Sequence, residues 1–357
     1  MSKILLTGGG TAGHATPNIA LLPTLKKDGH EVIYIGTKSG IERELVEKTN
    51  TKYYPISAGK LRRYLSFKNA TDVFRIIKGY FDALNIIKKE KPDLVFSKGG
   101  FVTVPVVYAA HSKNVPIIIH ESDMTPGLAN KLCLKKADRV CVSFESTIKN
   151  IPGKECVLTG LPVRNELFNG NKDRALNFLG FDYTKPILLV IGGSLGAQAI
   201  NTAVDESIDK LLEIFNVIHI RGKGKLNEEL NSKYGYKQFE YVAEELSDLM
   251  TAADIVLSRA GANVIFELLA LQKPMLLVPL PLESSRGDQI LNADYFENNN
   301  FARILEQSSI TGEKLVSALS LLLKESDSIK QSMKNSTIKN GTNNVISVIY
   351  SVLEEKK

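Results

Sequence analysis

The sequence predicts an α/β protein built on doubly wound parallel sheets, and three observations lead to this prediction. Short apolar segments alternate with helix-length segments along most of the chain, as in parallel sheets covered on both faces. Two similar glycine-rich turns, one in each half, each lie between an apolar strand and a helical pattern. The chain has 357 residues, too many for one ordinary hydrophobic core. We therefore expect two Rossmann-like domains that face each other across a cleft.

The first half of the chain alternates strongly between the two patterns. Strands are predicted at Ile4–Thr7, Val32–Ile35, Tyr53–Ile56, Leu94–Ser97, Ile117–His120 and Val140–Val142. Helical patterns lie between them, roughly at 17–28, 41–48, 69–90, 103–112 and 126–135. This order predicts one parallel sheet for the first domain.

The pattern pauses around Thr159–Arg164 and then begins again. Strands are predicted at 186–191, 216–220, 238–242, 254–257, 275–279 and 301–304, with helices for example at 196–212, 262–271 and 287–298. We expect an N-terminal domain over 1–162 and a C-terminal domain over 163–341. The tail, 342–357, contains an amphipathic helix that is a candidate to pack back on the first domain.

The amino-acid composition favours some classes of function and argues against others. The net charge of +6 and the isoelectric point near 8.9 suit an anionic substrate or an anionic membrane surface. Three cysteines without a C-x-x-C spacing argue against a structural zinc or a disulfide framework and fit a reducing cytoplasm. The N-terminus does not read as a signal peptide, and no apolar run approaches a membrane span, so any membrane contact is expected to be peripheral. We expect no nucleic-acid partner.

The first glycine turn is the strongest local motif. Gly8-x-Gly10-x-x-Gly13 follows a strand and opens a helix, as in dinucleotide-binding proteins, but the second strand ends at Thr37 without the acidic residue that would hold a ribose. A nicotinamide enzyme is therefore disfavoured, and a turn that needs glycine only for packing is the plain alternative. His14, at the start of the helix, is a candidate general base, or else a solvent-facing or capping histidine.

Other polar or glycine-rich segments also follow strands, and these segments share the carboxyl edges of the predicted sheets. They are Ser97–Phe101 and His120–Asp123 in the first half, and Gly192–Ala197, Ser258–Asn263 and Arg286–Gln289 in the second. Ligands of open α/β sheets bind at this edge, where helix N-termini offer N–H groups to phosphates. Glu267, on the helix after Asn263, could accept hydrogen bonds from two ribose hydroxyls. Solvated polar loops and a solvated helix glutamate are the alternatives.

A separate signal lies between residues 60 and 90. Apolar residues recur at helical spacing, and most of this stripe suits a protein core. Phe74, Ile77 and Phe81 nevertheless lie among cations, namely Lys60, Arg62, Arg63, Lys68, Arg75 and Lys78, with only Asp72 opposing them. Apolar residues surrounded by lysine and arginine can dock on an anionic bilayer.

Several motifs together resemble one family. They are Gly9-Gly10-Thr11-Ala12-Gly13-His14-x-x-Pro17, Gly99-Gly100-Phe101-Val102, His120-Glu121, Gly160-x-Pro162-Val163-Arg164, Gly192-Gly193-Ser194-x-Gly196-Ala197 and Ser258-Arg259-x-Gly261-Ala262 with Glu267. In combination they are similar to the MurG family, glycosyltransferase family 28, over nearly the whole chain. The resemblance implies a GT-B fold and an inverting transfer of N-acetylglucosamine from UDP to the 4-hydroxyl of undecaprenyl-pyrophosphoryl-N-acetylmuramyl-pentapeptide (lipid I), which yields lipid II for peptidoglycan.

The resemblance also implies residue roles. His14 would be the general base. The UDP-N-acetylglucosamine site would comprise Thr11, Ala12, Gly13, Asp123, Arg164, Ser194, Val242, Ala262, Glu267, Asp288 and Gln289, and the acceptor pyrophosphate would lie on Gly10, Gly13, Gly99 and Gly100. No metal or other cofactor is implied. The expected setting is the cytoplasmic face of the cell membrane, held peripherally and beside other cell-wall synthesis enzymes.

The chain departs from the family pattern at three places, which cover four positions. Ala12 replaces a glycine, Leu195 stands where glutamine is common, and Ser122-Asp123 stands where Gln-Asn is usual. Asp123 adds a negative charge near the expected phosphates. These departures leave open a relative that uses another lipid acceptor, such as diacylglycerol. A UDP-sugar epimerase and a non-catalytic nucleotide sensor are further alternatives.

Overall fold

The computed structural model describes residues 1–59, 68–182, 184–193 and 196–356. The chain divides into two compact units. The first unit comprises Met1–Arg164 with Asn340–Lys357, and the second comprises Asn165–Lys339. Each unit is an α/β structure on its own parallel sheet, as the sequence predicts.

The first unit carries a parallel sheet that contains seven strands within the described residues. They are β1 (Lys3–Thr7), β2 (Glu31–Thr37), β3 (Lys52–Ile56), β4 (Leu94–Ser97), β5 (Ile117–Glu121), β6 (Arg139–Val142) and β7 (Cys156–Leu158), in the order β3-β2-β1-β4-β5-β6-β7. The helices between them are α1 (Ala12–Lys27), α2 (Ile41–Glu47), α3 (Lys68–Glu90), α4 (Thr103–His111), α5 (Leu128–Cys133) and α6 (Glu145–Lys149). The strand order reverses between β1 and β4, which is where open sheets of this kind bind ligands.

The second unit repeats this plan with six strands among its described residues. They are β8 (Ile187–Ile191), β9 (Asn216–Ile220), β10 (Tyr236–Phe239), β11 (Ile255–Ser258), β12 (Met275–Leu277) and β13 (Ala302–Ile304), in the order β10-β9-β8-β11-β12-β13. Its helices are α7 (Lys172–Leu179), α8 (Gln198–Ile214), α9 (Leu246–Ala252), α10 (Ala262–Ala270), α11 (Asp288–Asn298), α12 (Gly312–Lys324) and α13 (Ser326–Lys334). Here the order reverses between β8 and β11, so the turns after these strands are the expected ligand position.

The last helix, α14 (Thr342–Glu354), belongs to the first unit. Val345, Ile349 and Val352 are buried against residues of β1, β2 and β4 on one face of the sheet. The hydroxyl of Thr342 accepts from the N–H of Val163 at 3.1 Å and is itself within 3.1 Å of the Val163 carbonyl. The helix therefore completes the core of a unit most of whose residues, Met1–Arg164, precede the whole second unit in the chain.

Helix α1 and strand β10 differ from the sequence prediction for local physical reasons. Helix α1 begins at Ala12 rather than near residue 17, because Thr11 has an extended backbone and caps the helix before Pro17. Strand β10 pairs Tyr236 with Val217 and ends at Phe239, whereas the prediction placed it at 238–242. Burial of Tyr236 and exposure of Tyr241 fix this earlier register.

Candidate functional site

The first glycine turn, Gly8–Gly13, is joined to the second glycine turn, Gly99-Gly100, at the carboxyl edge of the first unit's sheet. The N–H of Gly9 donates to the carbonyl oxygen of Gly99 at 3.3 Å. Gly100 has a φ of +89°, and a Cβ at this position would lie 2.0 Å from the carbonyl oxygen of Gly9. Only glycine permits this approach, so the two turns form one continuous surface.

His14 lies where these two turns meet. It occupies the first turn of α1, and its N–H donates to the carbonyl of Thr11 at 3.2 Å. The side chain is half-buried, and its Cδ2 atom is 3.1 Å from the position that a Cβ on Gly100 would take. Thr11 is exposed, and Ala12 and Gly13 are half-buried beside it. The structure thus places the predicted base against the predicted acceptor glycines.

Glu42 holds the first glycine turn through hydrogen bonds, and the sequence alone did not identify this residue. Its carboxylate is fully buried and accepts the N–H of Gly10 at 3.2 Å through Oε2. Its Oε1 accepts the N–H of Thr37 at 3.0 Å and the Thr37 hydroxyl at 2.5 Å. The Gly10 amide is therefore already bonded within the unit. The available signal was an acid flanked by Gly36 and Gly40, in the first turn of a short helix after a strand.

A pocket of about 710 Å³ opens beside the first glycine turn, within the first unit. Gly10 and Phe101 line one side, and the segments that follow β2 and β3 line the other. Lys38 and Arg75 are its cationic lining residues. A cavity of this size, with two cationic side chains in its lining, suits an anionic ligand.

The segment after β5 is held by buried polar groups. Glu121 accepts hydrogen bonds from the N–H of Asp123 at 3.0 Å, the N–H of Gly127 at 3.0 Å and the Asn130 amide at 2.8 Å. Burial raises the pKa of Glu121, and the charge of Asp123 adds to this rise. His120 donates through Nε2 to the carbonyl of Gly160 at 2.9 Å. Burial, with the charge of Lys98, lowers the pKa of His120 well below its usual value, so this imidazole stays neutral and structural.

In the second unit, the third glycine turn follows β8 and spans Gly192–Gly196. Ser194 and Leu195 lie outside the described residues. Gly196 has a φ of +68°, and a Cβ there would lie 1.9 Å from the carbonyl oxygen of Arg221. The Gly196 N–H donates to Gly193 at 2.9 Å, which closes the turn. This turn is packed directly on the segment after β9.

Arg221 anchors that segment through a buried network that the sequence analysis also missed. Its guanidinium binds the Asp205 carboxylate with two contacts of 2.6 and 2.8 Å and donates to the Tyr236 hydroxyl at 3.1 Å. His219 bonds through Nε2 to Asn201 Oδ1 at 3.0 Å and through Nδ1 to Tyr236 at 3.0 Å. Burial is the main cause that lowers the pKa of His219 to about 3. This network fixes the backbone on which Gly196 rests.

The turn after β11 begins α10. Gly261 caps this helix, and both Ala262 and Glu267 are buried, each 8% exposed. The neighbouring Arg259 does not extend into solvent, because its Nη1 donates to the carbonyl of Val278 at 3.0 Å. The helix start therefore offers backbone amides, with Glu267 just over one turn further on.

The remaining second-unit residues of the predicted UDP-N-acetylglucosamine site lie after strands β10 and β12. Val242 is buried, whereas the preceding Tyr241 is 71% exposed. Asp288 forms an ion pair with Arg286, and Gln289 accepts from the N–H of Leu280 at 3.1 Å through Oε1. Since all strands of this sheet are parallel, these residues share the edge that carries the third glycine turn and Glu267. The other predicted donor residues belong to the first unit; they are Thr11, Ala12, Gly13, Asp123 and Arg164.

Helix α3 exposes an apolar patch on the first unit. Phe74 is 73% exposed, Ile77 is 50% exposed and Phe81 is 56% exposed, with Arg75 and Lys78 also at the surface. Lys60, Arg62 and Arg63 lie outside the described residues, as does the side chain of Lys68. Among the helices described, none is long and apolar enough to cross a membrane.

The comparisons with known proteins are consistent over the whole chain. Residues 4–142 match the glycosyltransferase family 28 N-terminal domain, and residues 187–348 match the C-terminal domain of that family. The UDP-N-acetylglucosamine--N-acetylmuramyl-(pentapeptide) pyrophosphoryl-undecaprenol N-acetylglucosamine transferase of Clostridium botulinum (strain Langeland / NCTC 10281 / Type F) is 54% identical over 349 residues, 98% of this chain and 99% of that protein. The enzyme of the same name from Clostridium tetani is 55% identical, over 97% of each chain.

Among solved structures, the crystal structure of Acinetobacter baumannii MurG superposes with a TM-score of 0.77. It is 25% identical and covers 98% of this chain and 100% of that chain. These matches extend across both units and include the glycine turns and the helix that carries Glu267. The chain therefore belongs to glycosyltransferase family 28 and has the GT-B fold.

Proposed function

We propose that this chain transfers N-acetylglucosamine from UDP-N-acetylglucosamine to the 4-hydroxyl of the muramyl sugar in undecaprenyl-pyrophosphoryl-N-acetylmuramyl-pentapeptide. This is the conversion of lipid I to lipid II in peptidoglycan synthesis. The observation that carries the proposal is the 54% identity, over 98% of the chain, with an enzyme whose name states this donor and this acceptor.

The donor is proposed to bind the second unit. Glu267 accepts hydrogen bonds from the ribose hydroxyls, and Val242 faces the uracil through its backbone. The amides at the start of α10 hold the diphosphate together with Ser194 and Arg164. Asp288 and Gln289 contact the sugar, which suits their mixed donors and acceptors. Burial of Glu267 supports the ribose assignment, because a hydrogen bond to a partly desolvated carboxylate is stronger than one in water.

The acceptor is proposed to bind the first unit, with its pyrophosphate on the joined first and second glycine turns. His14 takes the proton of the 4-hydroxyl as this oxygen forms a bond to the anomeric carbon. The bond between that carbon and the diphosphate oxygen breaks, and its electron pair leaves with UDP. Fixed N–H groups and Arg164 stabilise the negative charge that develops on the leaving group. Inversion follows, because one displacement occurs without a covalent intermediate.

The exposed patch on α3 is proposed to dock on an anionic membrane, which would hold the enzyme peripherally at the cytoplasmic face. Three apolar side chains can enter the interface while Arg75 and Lys78 meet lipid phosphates. Co-sedimentation with vesicles of neutral lipid, or of neutral plus anionic lipid, tests this idea. Phe74→Asp should abolish binding, whereas Leu321→Asp, at an exposed apolar position in the second unit, should not. Binding that is indifferent to anionic lipid would remove the proposal.

Transfer of radiolabel from UDP-N-acetylglucosamine into the organic phase tests the activity itself. Lipid I, diacylglycerol and no acceptor are compared, and we expect labelled product with lipid I alone. Label in diacylglycerol would favour the related lipid transferase, and conversion without any acceptor would favour an epimerase. His14→Ala should lower turnover about 100-fold or more with donor affinity unchanged, whereas His111→Ala, at an exposed histidine of the same unit, should not.

A further inference from the structure

Arg221 ties helix α8, which follows the third glycine turn, to the end of strand β9. Its guanidinium contacts both oxygens of the Asp205 carboxylate on α8, at 2.6 and 2.8 Å. Its main-chain carbonyl accepts from the side-chain amide of Asn201, one turn earlier on α8, at 3.1 Å. The helix is therefore held by both the side chain and the main chain of a single residue.

The Arg221 carbonyl also lies directly against the third glycine turn. A Cβ on Gly196 would come within 1.9 Å of this oxygen, so only glycine permits the approach. The next residue, Ala197, is the N-cap of α8. Because the two main chains are in direct contact here, the position of Arg221 sets the position of the turn and of the helix start.

The ion pair between Arg221 and Asp205 is better suited to fixing geometry than to adding stability. The Arg221 side chain is 5% exposed and that of Asp205 is 24% exposed, so both charges lose much of their hydration. This loss offsets most of the attraction in buried pairs. A bidentate contact between guanidinium and carboxylate nevertheless fixes direction as well as distance. The side-chain amide of Asn227 donates to the same carboxylate at 3.2 Å and restrains it further.

We infer that Arg221 and Asp205 are positioning residues that hold the third glycine turn in the geometry that binds the diphosphate of UDP-N-acetylglucosamine. This inference rests on the proposed function, in which Ser194 of this turn contacts the diphosphate. The pair acts through the turn and requires no contact with the ligand. Groups that are held in place before binding avoid the entropic cost of ordering, so a loosened turn binds phosphate more weakly.

The inference predicts a loss that depends on the phosphates of the ligand. Base and ribose are proposed to bind Val242 and Glu267, which follow other strands, so the affinity for uridine should be insensitive to the pair. Uridine has the same base and ribose as UDP but no phosphate. A variant that damages the whole unit would weaken both ligands alike.

The experiment measures the Kd of UDP and of uridine by calorimetry on the full chain. Asp205→Asn keeps the size of the side chain but removes its charge, so it should raise the Kd of UDP about tenfold and that of uridine by less than about twofold. Arg221→Gln breaks the same ion pair and should act alike. The double variant should resemble the more affected single variant, because each change already removes the shared interaction.

Arg303→Gln is the matched control. Arg303 donates to the Glu325 carboxylate at 2.7 Å, and both side chains are half-buried, but strand β13 is at the far edge of the same sheet. This variant should keep the wild-type Kd for UDP. Circular dichroism checks the fold of each variant, and Asp205→Asn, the milder change, decides the result if Arg221→Gln does not fold.

An unchanged Kd for UDP in Asp205→Asn would overturn the inference. Equal losses for UDP and uridine would also overturn it, since the pair would then support the unit as a whole rather than the turn. Wild-type protein that binds no UDP would refute the proposed function and this inference together. Wild-type binding with unaffected variants would refute the inference alone.

Discussion

Replacing Glu42 with glutamine tests whether a single buried carboxylate holds the first glycine turn in place. The wild-type carboxylate accepts two hydrogen bonds from Thr37 on one oxygen and one from Gly10 on the other. Glutamine has nearly the same shape but only one oxygen. If that oxygen takes the place that serves Thr37, the amide NH₂ meets the N–H of Gly10, and two donors face each other.

The expected cost follows from this count. One hydrogen bond to a charged acceptor is lost and one buried N–H is left without a partner, so Glu42→Gln should lower the free energy of unfolding by about 2 kcal/mol. Glu42→Ala loses all three bonds and leaves a cavity, so it should cost about 4 kcal/mol or more. The reasoning requires both that the losses have about these sizes and that Glu42→Ala loses more unfolding free energy than Glu42→Gln.

Urea unfolding followed by circular dichroism measures these changes. Glu44→Gln is the matched control, because Glu44 lies on the same helix but is exposed and forms a surface ion pair with Lys48. Its cost should stay below about 0.5 kcal/mol. If Glu42→Gln unfolds like Glu44→Gln, the carboxylate does not hold the turn and the reasoning is wrong.

Three further predictions concern the second unit. Gly196→Ala should destabilise it by more than Gly224→Ala, because both have positive φ but only the first Cβ meets a backbone carbonyl, at 1.9 Å; equal unfolding free energies would contradict this. Burial lowers the pKa of His219 from 6.5 to about 3, so on acidification through that range only the unfolded chain takes up the proton and wild-type stability falls. Between pH 6.5 and pH 3 the free energy of unfolding of His219→Gln should therefore fall by about 1.4 kcal/mol less per pH unit than that of the wild type. Urea unfolding at a series of pH values measures both slopes, and identical slopes would refute the prediction. Glu267→Ala should weaken binding of UDP-N-acetylglucosamine severalfold in calorimetry, whereas Glu213→Ala, at an exposed helix position, should not; wild-type affinity would remove Glu267 from the donor site.

The strands and the glycine turns could be predicted from sequence because their signals are local. An apolar run such as Ile187–Ile191 is buried on both faces of a parallel sheet, and glycine marks the positions where the backbone needs a positive φ. Strand β7 escaped prediction because it has three half-buried residues at the edge of its sheet, with no periodicity to detect. The helical pattern predicted at 17–28 missed the first five residues of α1, Ala12–Thr16.

The supporting residues of the site could not be predicted in the same way. Glu42, Lys98 and Arg221 look like ordinary surface charges in the sequence, and nothing local distinguishes them from exposed neighbours such as Glu44. Each is buried because a strand order that is not the order of the chain brings distant donors and acceptors to one edge. A charged residue within two or three positions of a glycine turn after a strand is the only signal that was available. The roles assigned to His14 and to the donor residues stay predictions until the kinetic and binding tests are made.

Helix α14 has a consequence for biosynthesis. Its apolar residues cover Ile4 and Leu6 on β1, a strand that is synthesised long before α14. During translation this face of the nascent first unit stays uncovered until the second unit has been made. Nascent chains that stall, or variants truncated before residue 342, should consequently expose this apolar face of the first unit's sheet. Such chains should aggregate readily and become targets for chaperones and proteases.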